Sequence, residues 1–308
     1  MANECPRVSF GLAVRNGEQF IRRAIDSLLS QTFEDFDVVV SDNASTDGTS
    51  SICQEYANRD GRIRYFRNVE DLGQIVNVNR VFQLSRGEYF RWIGTDDWLE
   101  PGYAARCVEV LDSHSEAIAV TTYFTITDSG GNQVYRPFDG PFVEAATPHE
   151  RFARMLWFFH AGDALWDPLY AMIRRETLER TALIRMIANA DWLLAAELSL
   201  LGRFRNVPEC LAHRNKNYEI FDNRAELLRR YHPTRFAEIE SSTLRLVRIL
   251  IPIVREARLT TPQNLHCFRA ISGFAVKELR RRLRREFHGF SRRPFRSSRR
   301  RLRKILKP

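Results

Sequence analysis

The chain has 308 residues, 44% hydrophobic and 11% aromatic, enough to bury a substantial core in one large α/β domain with appendages or in two domains. Its formal charge of +9 belongs to one end: from Lys277 onward 15 Lys/Arg stand against 2 Asp/Glu, a net +13, which leaves −4 on the first 276 residues. A mildly acidic body argues against reading the whole protein as a nucleic-acid binder.

Val8 to Val14 reads as a strand, and Asn16 and Gln19 then have capping-box spacing ahead of a helix with apolar residues at Ile21, Ala24, Ile25 and Leu28. Asp37 to Ser41 is a buried-type strand, Asn43 to Gly48 a cap-rich loop, and Ile52, Cys53, Tyr56 and Ala57 mark one face of the next helix. Further strands are read at Ile63 to Phe66, Tyr89 to Ile93 and Ala117 to Thr122, with helices over Ile75 to Leu84 and from Pro101 to Leu111. This alternation predicts βαβ units and a mainly parallel sheet flanked by helices.

Beyond it, Asp128-Ser129-Gly130-Gly131-Asn132 predicts a hairpin between Thr125 and Tyr135. Phe152 to Phe159 with Trp157, and Ala161 to Pro168, are aromatic-rich, as a core or a sugar-stacking face would be. Leu244 to Val254 is densely apolar but broken by Arg245 and Arg248, and Pro252 is expected to kink it.

Cysteines at 5, 53, 107, 210 and 267 are odd in number and scattered, and are read as reduced thiols in a cytosolic compartment. The start, Met1-Ala2-Asn3-Glu4-Cys5-Pro6-Arg7, has no charged region followed by an apolar one, so no signal peptide is expected. No unbroken apolar run approaches the roughly 18 to 20 residues of a spanning helix, so a soluble or peripheral protein is expected.

In open parallel sheets, ligands bind beyond the carboxyl ends of the strands. Asp42 ends one strand, and Trp92-Ile93-Gly94-Thr95-Asp96-Asp97-Trp98 places two adjacent carboxylates at the end of another. Such a pair repels itself unless a cation sits between or beyond it, and a divalent metal carrying a diphosphate supplies one. The alternative is that these acids cap the helices that follow, which suits Asp47 best; one cap needs only one acid.

Val38-Val39-Val40-Ser41-Asp42-Asn43-Ala44-Ser45-Thr46-Asp47-Gly48-Thr49, followed by Gly87-Glu88-Tyr89 and the Asp96-Asp97 turn, resembles glycosyltransferase family 2 over roughly residues 7 to 112. The resemblance implies a GT-A fold and an inverting, metal-dependent hexosyltransferase. The donor would be a nucleoside-diphosphate sugar, with UDP first, and the acceptor a hydroxyl of a glycan or lipid-linked acceptor in cell-surface polysaccharide synthesis. It also implies nucleotide-sugar contacts at Ala13, Arg15, Asp42, Asn79 and Asp96, and Mg²⁺ or Mn²⁺ held by Asp96 and Asp97. Position 94 is Gly where many relatives have a further acid, and Val78 stands where an Arg often precedes the Asn.

Ala188 to Leu198, followed by Gly202-Arg203-Phe204, resembles the family's later acid motif with Ala190 in place of its first acid. Asp191 is then implied as the base that deprotonates the acceptor hydroxyl, a helix cap being the alternative. His213 is implied as a further metal ligand, within a residue or two of register. The expected organisation is a nucleotide-sugar half over 1–125, an acceptor and catalytic-base half over 126–220, and a helical extension over 221–308.

The tail, 277–308, mixes Arg with Leu, Phe and Ile, as segments that bind anionic leaflets do, which suggests a cytoplasmic enzyme peripheral at the inner membrane face. RNA binding and a merely solvated tail are the alternatives. Two other functions stay open: a sugar-nucleotide-binding protein without turnover, for which Gly94, Val78 and Ala190 speak, and a nucleic-acid-associated protein resting on the tail alone.

Overall fold

A computed structural model describes residues 5–127, 131–136, 144–161, 168–187, 190–215, 228–229, 231–234 and 243–291. Strands β1 (Val8–Val14), β2 (Phe36–Asp42), β3 (Ile63–Arg67) and β4 (Tyr89–Ile93) run parallel in the order β3-β2-β1-β4. A short strand β8 (Met172–Arg174) continues the sheet antiparallel to β4 and leads to β6 (Ala117–Thr127). Beyond β6 lie β9 (Arg203–Asn215), parallel to it, and β5 (Trp98–Leu99), antiparallel to β9. A last strand, β7 (Gln133–Arg136), pairs with β6 in the expected hairpin, whose tip at 128–130 lies outside the described residues. The boundary expected at 125 falls inside β6.

The middle of β2, Val38-Val39-Val40, reads as an unbroken apolar run because both faces of that strand are covered. Val38 and Val40 pack among residues of α1 (Ile21–Leu29), α2 (Thr49–Arg59) and α4 (Tyr103–Ser113). Val39, Phe90 and Trp92 point the other way, into a core shared with α3 (Gln74–Leu84), α5 (Pro148–Ala161) and α7 (Ala190–Leu201). Phe90 meets Trp92 and Phe82 edge-on at centroid distances of 4.7 and 5.0 Å. Burying each such side chain contributes about 1.5–3 kcal/mol. Of the aromatic-rich segment, Phe152 is core and Trp157 is exposed, whereas 162–167 lie outside the described residues.

After β8 come a single turn α6 (Arg175–Leu178), then α7 and β9, and finally α8 (Thr243–Glu256) and α9 (Thr261–Ser291), which pack on each other, with α9 also against α5. α8 runs on through Pro252 to Glu256. Pro252 and Arg248 are both exposed, so the carbonyl that Pro252 leaves without a donor lies on the wet side. No described helix is long and apolar enough to cross a membrane.

Two expected caps come out differently. The box at Asn16 and Gln19 does not form, because α1 begins at Ile21 without a side-chain cap and Asn16, at φ 51°, is turned toward the next loop. Asp47 does bind the start of α2, accepting from the Thr49 N–H at 3.0 Å. Cys53, Cys107 and Cys267 are free, buried thiols pushed up to about 12 by burial, which keeps them unreactive.

Candidate active site

Three strand ends meet at one edge of the parallel sheet. β1 ends at Val14 beside Asp42 of β2, and Ala13, partly exposed, is level with Ser41. The first residues after β1 and β2 are cross-tied: the Asn16 N–H donates to Ser45 Oγ at 2.9 Å, and Asn16 Oδ1 accepts from the Thr46 N–H at 2.9 Å. Ala44 is held at φ 54°, a left-handed conformation that costs an alanine roughly 1 kcal/mol. Such strain persists where surrounding bonds over-determine it, and it gathers at functional sites. Arg15 supplies part of the constraint, donating through Nη1 to the carbonyls of Asn43 (2.8 Å) and Ala44 (3.0 Å) while pairing through Nε with Asp71 at 3.2 Å.

Asp42 is completely buried at the end of β2. Its Oδ1 accepts from the Ser45 N–H at 2.9 Å, and its Oδ2 from the Tyr65 hydroxyl at 2.7 Å and from Arg67 Nη1 at 3.1 Å. The carboxylate therefore organises the Asn43-Ala44-Ser45 turn from below. Arg67, with its side chain 42% exposed, is the partner that lies nearest to solvent.

The turn after β4 carries the acid pair. An atom at the Cβ position of residue 94 would lie 2.7 Å from Asp97 Oδ2 and 3.1 Å from Asp96 Oδ1. Both carboxylates thus fold back over Gly94, and the space that a side chain would fill is the point on which two oxygens converge. The neighbouring Thr95 lies 3.6 Å from the Cβ position of Gly17, which brings this turn against the loop after β1.

The two acids are not equivalent. Asp96 is half-buried, and its carbonyl accepts from Asn215 Nδ2 at 3.0 Å. Asp97 is buried, accepts the Asn215 N–H at 3.2 Å on Oδ1, and faces Arg214 Nε at 3.6 Å from Oδ2. Burial lifts the Asp97 carboxyl from 3.8 to about 6 against the lowering effect of Arg214, with Asp96 adding to the rise and Arg91 and the Asn215 N–H opposing it.

Behind the pair, Arg91 is 3% exposed and donates through Nε to the Tyr103 hydroxyl (2.8 Å) and to the Tyr170 carbonyl (3.0 Å). Its Nη1 has no partner among the described residues, and Arg91 lines a cavity of about 20 Å³ together with Thr121, Thr122, Phe124, Tyr170, Ala212 and Arg214. That volume suits a single water.

Two further residues expected at the donor or the metal, Asn79 and His213, have partners of their own within the fold. Asn79 spends its amide on the backbone of Ile184, donating to its carbonyl at 2.8 Å and accepting its N–H at 3.0 Å. It therefore ties α3 to the loop that leads to α7. His213 has Nε2 2.7 Å from Glu100 and Nδ1 2.7 Å from Thr125, with its ring stacked at 4.8 Å on Trp98. Both ring nitrogens are engaged, and it is the next two residues, Arg214 and Asn215, that reach the acid turn.

Asp191 lies exposed in the first turn of α7. The helix is fixed from below by buried Leu193, Leu194 and Leu198. Arg185 and Glu197 pair at 2.9 Å and hold the preceding loop to it. α7 packs on the 3₁₀ turn Pro168–Tyr170, and the Tyr170 ring carries Arg214 at 4.2 Å. The chain of contacts from Asp97 through Arg214 and Tyr170 thus ends at the helix that bears Asp191. Among the described residues no three His, Cys, Asp or Glu side chains converge as a metal site.

The family model "Glycosyl transferase family 2" matches residues 9–180, more than half of the chain. The chain belongs to glycosyl transferase family 2. TuaG of Bacillus subtilis (strain 168), provisionally named as a teichuronic acid biosynthesis glycosyltransferase, is 27% identical over 232 residues, 73% of this chain and 85% of TuaG. The chain spans about half the length of other curated relatives it matches, EpsH of the same organism among them. Residues 1–349 of Staphylococcus aureus TarS, solved with UDP, superpose with a TM-score of 0.65 at 16% identity over 87% of this chain and 70% of that one. The mannosyltransferase PcManGT of Pyrobaculum calidifontis, solved with GDP-Man and Mn²⁺, gives 0.51 at 16% identity over 90% and 88%. The fold is the expected GT-A arrangement.

One consequence concerns stability. The folded Asp97 carboxyl lies above its unfolded value of 3.8, so its contribution is intact below that pH and is lost as pH rises through about 6. Asp97→Asn removes the titration. Without divalent cation, the melting temperature of the variant relative to the parent chain rises between pH 4 and 7. The gain across that range is at most about 3 kcal/mol, the rise from 3.8 to about 6 being already net of the Arg214 attraction. Thermal melts across that pH range check it, and a pH-independent difference contradicts it.

Proposed function

We propose that the chain moves a sugar from a nucleoside diphosphate, UDP first, to a hydroxyl of a glycan or lipid-linked acceptor, with inversion, in cell-surface polysaccharide synthesis. The observation that carries the reading is the convergence of Asp96 Oδ1 and Asp97 Oδ2 over Gly94 at the strand-end edge of a family 2 fold. Two hard carboxylate oxygens suit Mg²⁺ or Mn²⁺, which keep several waters and complete their shell with substrate phosphates. When bound, such an ion neutralises charge on the departing diphosphate. The Mn²⁺ and GDP-Man of PcManGT, and the UDP of TarS, support that donor class.

Asp96 is the acid placed to reach the metal, while Asp97, anchored by Arg214 and Asn215, fixes the turn and adds the second carboxylate. The nucleoside lies along the Asn43-Ala44-Ser45 turn, near Ala13 and above the Arg15 clamp. The base hydrogen-bonds to Asp42 by taking the place of Arg67. Asp191 accepts the proton of the acceptor hydroxyl as its oxygen attacks the anomeric carbon. Asn79 positions the loop before α7 rather than touching the donor.

The test is turnover of a panel of UDP-, GDP- and dTDP-sugars with Mn²⁺. One donor, expected to be a UDP-sugar, is hydrolysed above the others, and chelation stops it. Nucleotide binding without hydrolysis of any donor would instead support a sugar-nucleotide-binding protein without turnover, the outcome to which Ala190 and Val78 point.

A further inference from the structure

α9 is apolar on two opposite sides. Cys267, Ile271 and Phe274 are buried in the core. On the other side, at successive helical spacings, Leu265, Arg269, Ser272, Val276 and Leu279 form one stripe. Leu265, Val276 and Leu279 are 51, 49 and 56% exposed. The cations beside them, Arg269, Lys277 and Arg280, are exposed as well, and between 261 and 280 no Asp or Glu is. α8 repeats the pattern with Leu244, Arg248, Pro252 and Arg255, Glu256 being its one exposed acid. The positive charge continues in sequence, since residues 281–308 add 13 Lys/Arg against 1 Glu.

A helix that only had to pack inward would carry polar residues outside. Aliphatic side chains interleaved with cations match a leaflet instead, with the apolar groups at headgroup depth and the cations on lipid phosphates. Nucleic acid is a poorer fit, because single strands are held by exposed aromatic rings and this stripe has none.

We infer that the outer face of α9, from Leu265 to Arg280, docks on an anionic lipid surface as a folded site, separate from the remainder of the basic tail. Its use, to hold the active site over lipid-linked acceptors, rests on the transferase reading; the docking itself does not.

The experiment is sedimentation of the full chain with vesicles of phosphatidylglycerol and phosphatidylcholine in equal parts, and with pure phosphatidylcholine. Beside the parent chain stand Leu265→Glu/Val276→Glu and Arg269→Glu/Arg280→Glu, with the tail intact in both. The parent chain pellets with the anionic vesicles only. Each double variant partitions at least roughly tenfold less, since each basic residue near the surface is worth about fivefold. Unchanged melting transitions show that both variants fold, as substitutions on an exposed stripe should allow. Equal sedimentation of variants and parent chain would overturn the inference, as would equal binding to neutral vesicles, or displacement from anionic vesicles by an RNA homopolymer at lower concentration than by free lipid. Donor hydrolysis is read on the same preparations: lost docking with intact hydrolysis in the variants supports docking as separable, and absent hydrolysis throughout defeats only the transferase reading.

Discussion

With Asp191 replaced by Asn, sugar transfer falls roughly a thousandfold while nucleotide affinity is unchanged. Asn keeps the size and one acceptor oxygen of the side chain but loses its negative charge and its basicity, and the position is exposed. The helix beneath it stays where buried Leu193, Leu194 and Leu198 hold it. Initial rates at saturating acceptor, together with calorimetric titration of the nucleotide, separate the two effects. Full activity of the variant removes the base assignment. A parallel loss of nucleotide binding would move Asp191 into the donor site.

The second large effect is at Asp96. Asp96→Ala leaves only the buried Asp97 carboxylate, already facing Arg214 and the Asn215 N–H, so the two-oxygen convergence over Gly94 is gone. Charge developing on the diphosphate then lacks its counter-charge, and turnover falls at least roughly a hundredfold. Stimulation by Mn²⁺ disappears with it. Asp96 takes no part in the sheet core, so stability changes little.

The half of the fold built from parallel strands was legible because covering both faces of a strand forces a continuous apolar run, as in Val38-Val39-Val40, and because Asp42 and the Asp96-Asp97 turn end two such runs. Helix limits came within three residues. Partner choice was not legible. Asn79 binds Ile184, Asn215 binds the acid turn, and Arg67 covers Asp42 across separations of 105, about 118 and 25 residues, distances over which local periodicity carries no information. The Asn16 box failed for the same reason, its side chain being claimed by Thr46 in the next loop. At Gly94 the sequence showed a missing acid, and only the geometry showed that its absence makes room for both carboxylates.

The central claim, that Asp96 and Asp97 hold a nucleoside diphosphate through one divalent ion, is tested most directly by calorimetric titration of UDP into the parent chain and Asp96→Ala, each with and without Mn²⁺. The parent chain is expected to bind UDP at least roughly tenfold more tightly with Mn²⁺, and the variant to show no such gain. Equal binding by the parent chain with and without the ion would contradict the account.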